Sequence, residues 1–172
     1  MYDIGDPRRC QNDFKRDERD KKVLTDALKR QFNNAFDVLE AAIRSFGPDQ
    51  WRCGSSPYNG PGRAAVHVLQ CAEFYTCGDS KVQARFGKPV WQMSDGEVPL
   101  KEQVLPYLTK ARQETLAWID SIGDAGLAAP WPADSSVDGL DRVAYALRHL
   151  QHHTGEICAY QKQAGLEPAP WK

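Results

Sequence analysis

Asp141-Arg-Val-Ala-Tyr-Ala-Leu-Arg-His149-Leu-Gln-His152-His153-Thr-Gly-Glu156-Ile-Cys-Ala-Tyr-Gln-Lys-Gln163 is the stretch that decides how this chain is read. On a helical wheel of about 100° per residue with Leu150 at zero, Val143 falls near +20°, Leu147 near +60° and Ile157 near −20°. These residues form one apolar stripe, so the segment is an amphipathic helix. His149 falls at roughly −100° and His153 at roughly −60°, side by side on the edge of that stripe. His152 falls at roughly −160°, facing away. An i,i+4 pair has Cβ atoms about 5–6 Å apart. Two imidazoles at that spacing can share one divalent ion with bonds of about 2.0–2.1 Å.

Three more helices are expected upstream. Residues 13–22 carry nine charges of mixed sign, with Asp17–Lys21 and Glu18–Lys22 at i,i+4 in the order that supports a helix. Leu24, Leu28, Gln31, Ala35, Leu39, Ala42 and Phe46 then step by three or four until Gly47 and Pro48 stop them. The first helix is therefore expected over 17–46, with residues 1–16 as a loose arm before a single domain over 17–172. A Gly/Ser/Pro-rich loop covers 47–60. The second helix opens at Pro61 and ends at Gly78, with Ala64, His67, Val68, Cys71, Phe74 and Tyr75 on one face. Residues 79–98 show no sustained period and read as a long crossover. The third helix opens at Pro99, carries Val104, Leu108, Ala111, Thr115, Ile119 and Ile122 on one face, and is capped by Gly123. Pro130-Trp131-Pro132 reads as a rigid connector, and Ser135 with Asp138 as the capping box of the fourth helix. No stretch alternates with period two, so no sheet is expected. The fold class is all-α: a four-helix bundle with a long connection between its second and third helices.

The chain has 172 residues, enough for one sizeable core, and a net charge of −1. Such balance gives no overall pull on nucleic acid or anionic lipid. The longest run free of charge is Cys53–Gly62, and it is rich in glycine, so no membrane span is expected. Charges stand where a signal peptide would have its apolar core. Five cysteines without a C-x-x-C pair argue against a disulfide scaffold, so a cytoplasmic protein is expected.

The four histidines are His67, His149, His152 and His153. With His67 at zero, Ala64 falls near +60°, Cys71 near +40° and Phe74 near −20°, which turns His67 toward the bundle interior. If the second and fourth helices are neighbours, His67, His149 and His153 make a three-histidine site with an open fourth position, the pattern of catalytic rather than structural metal. Cys71, one turn after His67, would instead close a four-ligand site. Glu156, near −120° beside His149, is a candidate general base or orienting group, and also reads as a surface acid. Tyr160 lies on the histidine side, and His152 reads as a proton shuttle or a bystander. Trp51, Tyr58 and Tyr75 would surround the site if the 47–60 loop covers its mouth. There is no phosphate loop, no G-x-S-x-G elbow and no H-E-x-x-H.

Three segments, Arg63-Ala-Ala-Val-His67-Val-Leu, Arg148-His149-Leu-Gln-His152-His153-Thr-Gly-Glu156-Ile and Gly165-Leu-Glu-Pro-Ala-Pro-Trp171, resemble the DinB/YfiT-like family of bacterial four-helix bundles, often described as metal-dependent hydrolases. The resemblance runs from about residue 20 to the end. It implies that His67, His149 and His153 hold one divalent metal per chain, zinc or nickel, and that the protein forms homodimers. It implies a small-molecule substrate, with low-molecular-weight thiols used by transferase and isomerase relatives. The functional expectation is a metal-dependent enzyme that activates water or a thiol, as a hydrolase or thiol S-transferase. The alternative is a non-catalytic metal- or ligand-binding module. Neither nucleic acid nor membrane is expected as a partner.

Overall fold

Phe32, Ala35, Phe36, Leu39, Ala42 and Ile43 recur at helical spacing and are almost wholly buried, and they carry α1 (Val23–Ser45). The computed structural model describes residues 22–54 and 59–172, so the expected arm at 1–16 and the charged opening of the first helix lie outside the described residues. The buried stripe of α1 differs from the expected one at its start. Leu24 is 45% exposed and Gln31 is exposed, while Thr25 and Phe32 face inward. The two phenylalanines bury more surface than Leu24 and Gln31 would, and they set the rotation of the helix.

After α1 comes α2 (Pro48–Arg52), a five-residue helix within the expected loop. It seats Trp51 in the core, where its indole N–H donates to the Pro99 carbonyl at 2.8 Å. Next is α3 (Pro61–Cys77), ended by Gly78 in the left-handed conformation. The expected crossover is present and carries three short 3-10 turns at Ser80–Ala84, Val90–Gln92 and Asp95–Glu97. Then α4 (Lys101–Leu127) buries Val104, Leu108, Ala111, Thr115 and Ile119 as expected. Gly123, at φ 62°, breaks it as expected, but one further turn continues to Leu127.

A small antiparallel pair, β1 (Pro130–Trp131) and β2 (Asp134–Asp138), replaces the expected rigid connector. It is too short to leave a period in the sequence. Finally α5 (Gly139–Gln163) is capped by Asp138, which accepts from the Asp141 N–H at 2.8 Å. The capping box is therefore Asp138 with Asp141, three residues later than the expected Ser135 with Asp138. Gly139 is required there, because a Cβ would lie 2.3 Å from the Gly126 carbonyl oxygen.

Side-chain ties give the direction of each helix. Asp124, near the end of α4, accepts from Leu24 and Thr25 at the start of α1, and Lys101 at the start of α4 donates to the Phe46 carbonyl after α1. These two helices are antiparallel. Gln161 reaches Ser45, so α5 runs parallel to α1. Glu73 of α3 meets Tyr107 and Lys110 of α4, and Trp51 before α3 meets Pro99 before α4, so α3 and α4 are parallel. Tyr75 meets Tyr145, and Tyr160 meets Asn59, so α3 and α5 are antiparallel. The bundle is up-down-down-up. A parallel pair needs a connection that returns along the length of a helix, which accounts for the long 79–98 segment. Buried apolar residues of all five helices join in one core.

The seam between α3 and α4 is closed by a buried carboxylate. Glu73 is 4% exposed and accepts from Tyr107 Oη at 2.7 Å, Lys110 Nζ at 2.7 Å and Arg85 Nε at 2.7 Å. Burial pushes its carboxyl up, but these hydrogen bonds outweigh burial and hold it below the ordinary value. Arg85 belongs to the crossover, so Glu73 fastens that segment to both helices.

Candidate metal centre

The antiparallel seam of α3 and α5 brings His67, His149 and His153 together. One ring nitrogen from each lies within 4.8 Å of the others. Ring centroids are 4.7 Å apart for His67–His153, 5.5 Å for His67–His149 and 4.6 Å for His149–His153, all edge to face. His153 is buried and the other two are partly exposed. His67 stands at the rim of the seam rather than deep in the bundle. α3 is buried nearly all round, and its deepest side carries Leu69, Gln70 and Glu73 toward α4 and the crossover.

The donor set fits a divalent ion. His153 Nδ1 lies 2.6 Å from Glu156 Oε2. An ionised carboxylate only accepts, so Nδ1 carries the proton and Nε2 carries the lone pair. That lone pair faces His149 Nε2 at 3.2 Å. At this distance the two nitrogens share either a proton, as an N–H···N hydrogen bond between the rings, or a cation. Two nitrogens bound tetrahedrally with bonds of about 2.0–2.1 Å would stand about 3.3–3.4 Å apart, close to the observed spacing.

Electrostatics favours the neutral imidazoles that ligation requires. Burial, then the neighbouring His153 and His149, lowers His67 to about 4. Burial, then His153 and His152, lowers His149 to about 4 against the opposing pull of Glu156. Cys71 Sγ lies 3.7 Å from His67 Nε2, yet it does not join the cluster of three nitrogens. Burial pushes its thiol up to about 11, so it stays protonated near neutral pH. The arrangement is a three-nitrogen set without a cysteine.

The other expected residues divide. Glu156 spans two histidines, with Oε1 3.2 Å from His152 Nε2 and Oε2 on His153, so it orients the cluster. His152 is 64% exposed at its side chain, as the wheel has it, and a second grouping of His152, His153 and Glu156 also offers three ligand atoms. Tyr75 packs edge-on against His149 with centroids 5.7 Å apart. Trp51 is 1% exposed in the core and takes no part in a mouth. Tyr58 lies outside the described residues. Tyr160 donates to Asn59 Oδ1 at 2.8 Å and lines a separate groove with Gln50 and Gln163. Tyr145 and Arg142 were not singled out by the sequence. Tyr145 stacks on His149 at an interplanar angle of 10°, and its place four residues before His149 was the available signal.

Among the described residues no helix is long and apolar enough to cross a membrane. No curated protein matches the chain. The family model of the DinB superfamily matches residues 79–157, from the crossover through α4 to the His149-x3-His153 segment and Glu156. His67 lies upstream of the matched region, but α3 carries it to the same cluster. This match, over a little under half of the chain, and the helical architecture support a DinB-like assignment.

Proposed function

We propose that His67, His149 and His153 hold one divalent metal ion per chain, zinc or nickel, and that the protein is an enzyme acting on a small molecule at that site. The reaction class is hydrolysis or thiol transfer. One observation supports this above the rest: three imidazole nitrogens within 4.8 Å, two of them 3.2 Å apart. A divalent ion there would lower the pKa of a water or thiol that reaches it. Three protein donors leave a position for that group, which is the catalytic pattern.

The chain's own residues supply the rest. Glu156 holds the His153 proton on Nδ1 and so keeps Nε2 aimed at the cluster. With both oxygens engaged by histidines, it is a positioning residue in the resting site and links His152 at the surface to His153 inside. Tyr75 and Tyr145 pack on His149 and fix its ring. The alternative, a non-catalytic binding module closed by Cys71, is favoured only by the 3.7 Å approach of that thiol to His67, and Cys71 does not join the three nitrogens in one cluster.

The test is elemental analysis of untagged protein purified without chelator, beside His149→Ala. The expected result is about one zinc or nickel per chain, lost in the variant. No metal, and no uptake when metal is offered, would overturn the reading. Turnover screens with thiol-transfer and hydrolase substrates then separate the two reaction classes. Light scattering on the same sample reads the homodimer that the family resemblance implies.

A further inference from the structure

We propose that the groove beside the N-terminal half of α5 is the carboxylate-binding end of the substrate site. The substrate class is an elongated organic monocarboxylate whose reactive end reaches the histidine cluster. This rests on the metal-centre reading above and extends it.

The groove has a volume of about 500 Å³, the size of a small-molecule site, and is lined by Asp134, Val137, Asp141, Arg142, Tyr145 and Arg148. Neither guanidinium forms an ion pair among the described residues. Each lies over a tyrosine ring instead: Arg142 over Tyr75 at 5.1 Å and Arg148 over Tyr145 at 5.2 Å. The Nε of Arg142 is buried without a hydrogen-bond partner. The two carboxylates are differently placed. Asp134 accepts from the Ser136 N–H at 3.0 Å and the Ser136 hydroxyl at 2.7 Å, and Asp141 accepts from the Asp138 N–H at 3.2 Å. They are committed to a turn and a cap, whereas the guanidinium forks keep their capacity for a planar carboxylate.

Position ties this groove to the histidines. Arg142 precedes His149 by seven residues, two helical turns, so the two lie on the same side of α5 about 10 Å apart along its axis. Tyr145 lies between them, lining the groove on one side and stacking on His149 on the other. A ligand laid along this tyrosine spans from guanidinium to imidazole. The length matches an acid with a chain of about six carbons. Asp134 and Asp141 line the same groove and offset the two guanidinium charges, which favours one carboxylate over a phosphate or a dianion.

The experiment uses cobalt(II)-loaded and metal-free protein. Each is titrated with 6-mercaptohexanoate, with the neutral 6-mercaptohexanol and with hexanoate. Cobalt absorption reports the thiol end, and calorimetry reports the carboxylate end. The expected result is that 6-mercaptohexanoate binds the loaded protein about tenfold more tightly than 6-mercaptohexanol. Arg142→Gln and Arg148→Gln should each shrink that ratio, with the neutral thiol as internal reference, and Arg142→Lys should restore part of it. Hexanoate should bind metal-free protein and weaken in the same variants. Equal affinity of the two thiols for the loaded wild type, or a ratio that survives both glutamine substitutions, would overturn the proposal. Failure of the metal reading shows separately, as no cobalt absorption before any thiol is added. Hexanoate binding to the metal-free protein then decides the carboxylate groove alone.

Discussion

α3 has two polar seams, and they are built on opposite principles. Toward α4, Glu73 is buried and every tie it makes is satisfied: a phenol, an ammonium and a guanidinium all donate to it. Toward α5, three imidazoles meet at a partly open edge, and two of their nitrogens face each other across 3.2 Å, a spacing that one proton or one cation can bridge. The first arrangement is complete in itself. The second can exchange its shared proton for a cation. A buried carboxylate with three fixed donors holds a fold together, and neutral donors converging on one point at an open edge mark a place for a ligand.

The sharpest way to break this contrast is to remove one imidazole. His153→Ala should reduce metal binding at least about a hundredfold, read by titration against a chromophoric chelator. The thermal midpoint of the metal-free form should hardly move, since the variant also removes the crowding of nitrogens. A large loss of apo stability would make the α5 seam as structural as the other. The converse variant, Glu73→Ala, should lower folding stability by ~3 kcal/mol in urea denaturation, because it strands the buried Tyr107 hydroxyl and takes the carboxylate from Arg85. Its metal stoichiometry should persist at temperatures where it is folded. Glu156→Gln tests the junction between structure and site: affinity for metal should fall about 10–100-fold with stability little changed.

A smaller effect is the acid response of metal-free protein. His67 and His149 sit at about 4 in the folded state against 6.5 for an unperturbed histidine. Between those values the unfolded chain binds more protons, so stability rises with pH. Their contribution is complete above 6.5 and disappears as pH falls to about 4. His149→Ala should flatten that slope in denaturation curves collected across the window. The least effect is expected from Cys71→Ser, which should leave metal stoichiometry unchanged. A lost metal there would move the site toward a closed, four-ligand form.

Much of the α5 seam was legible because its signal is local. His149 and His153 stand one turn apart, and a wheel on a single helix finds them beside the apolar stripe. Proline and glycine marked the helix ends for the same reason, although Gly123 is followed by one more turn. The α4 seam was hidden. Glu73 stands in a helix buried almost all round, and its partners lie 12, 34 and 37 residues away, so no short pattern announces them. The depth of His67 was misjudged by the same cause, since a wheel centred on one face of such a helix cannot rank its sides. The cap of α5 shifted because Ser135 with Asp138 and Asp138 with Asp141 satisfy the same spacing rule. No sequence pattern sets Arg142 and Arg148 apart, and only the packing around Tyr75 and Tyr145 shows how they are held.

The histidine cluster has a mechanical side as well. Its donors come from two helices that run in opposite directions and belong to distant parts of the chain, His67 before the crossover and His149 after α4. An ion that joins them is a reversible cross-link. It fastens α3 to α5 and closes a loop that contains the crossover, all of α4 and the β pair. Closing so long a loop restricts the unfolded chain far more than the folded one, as a disulfide would. Metal supply would therefore set how often this bundle opens, through a staple that needs no cysteine and no oxidant.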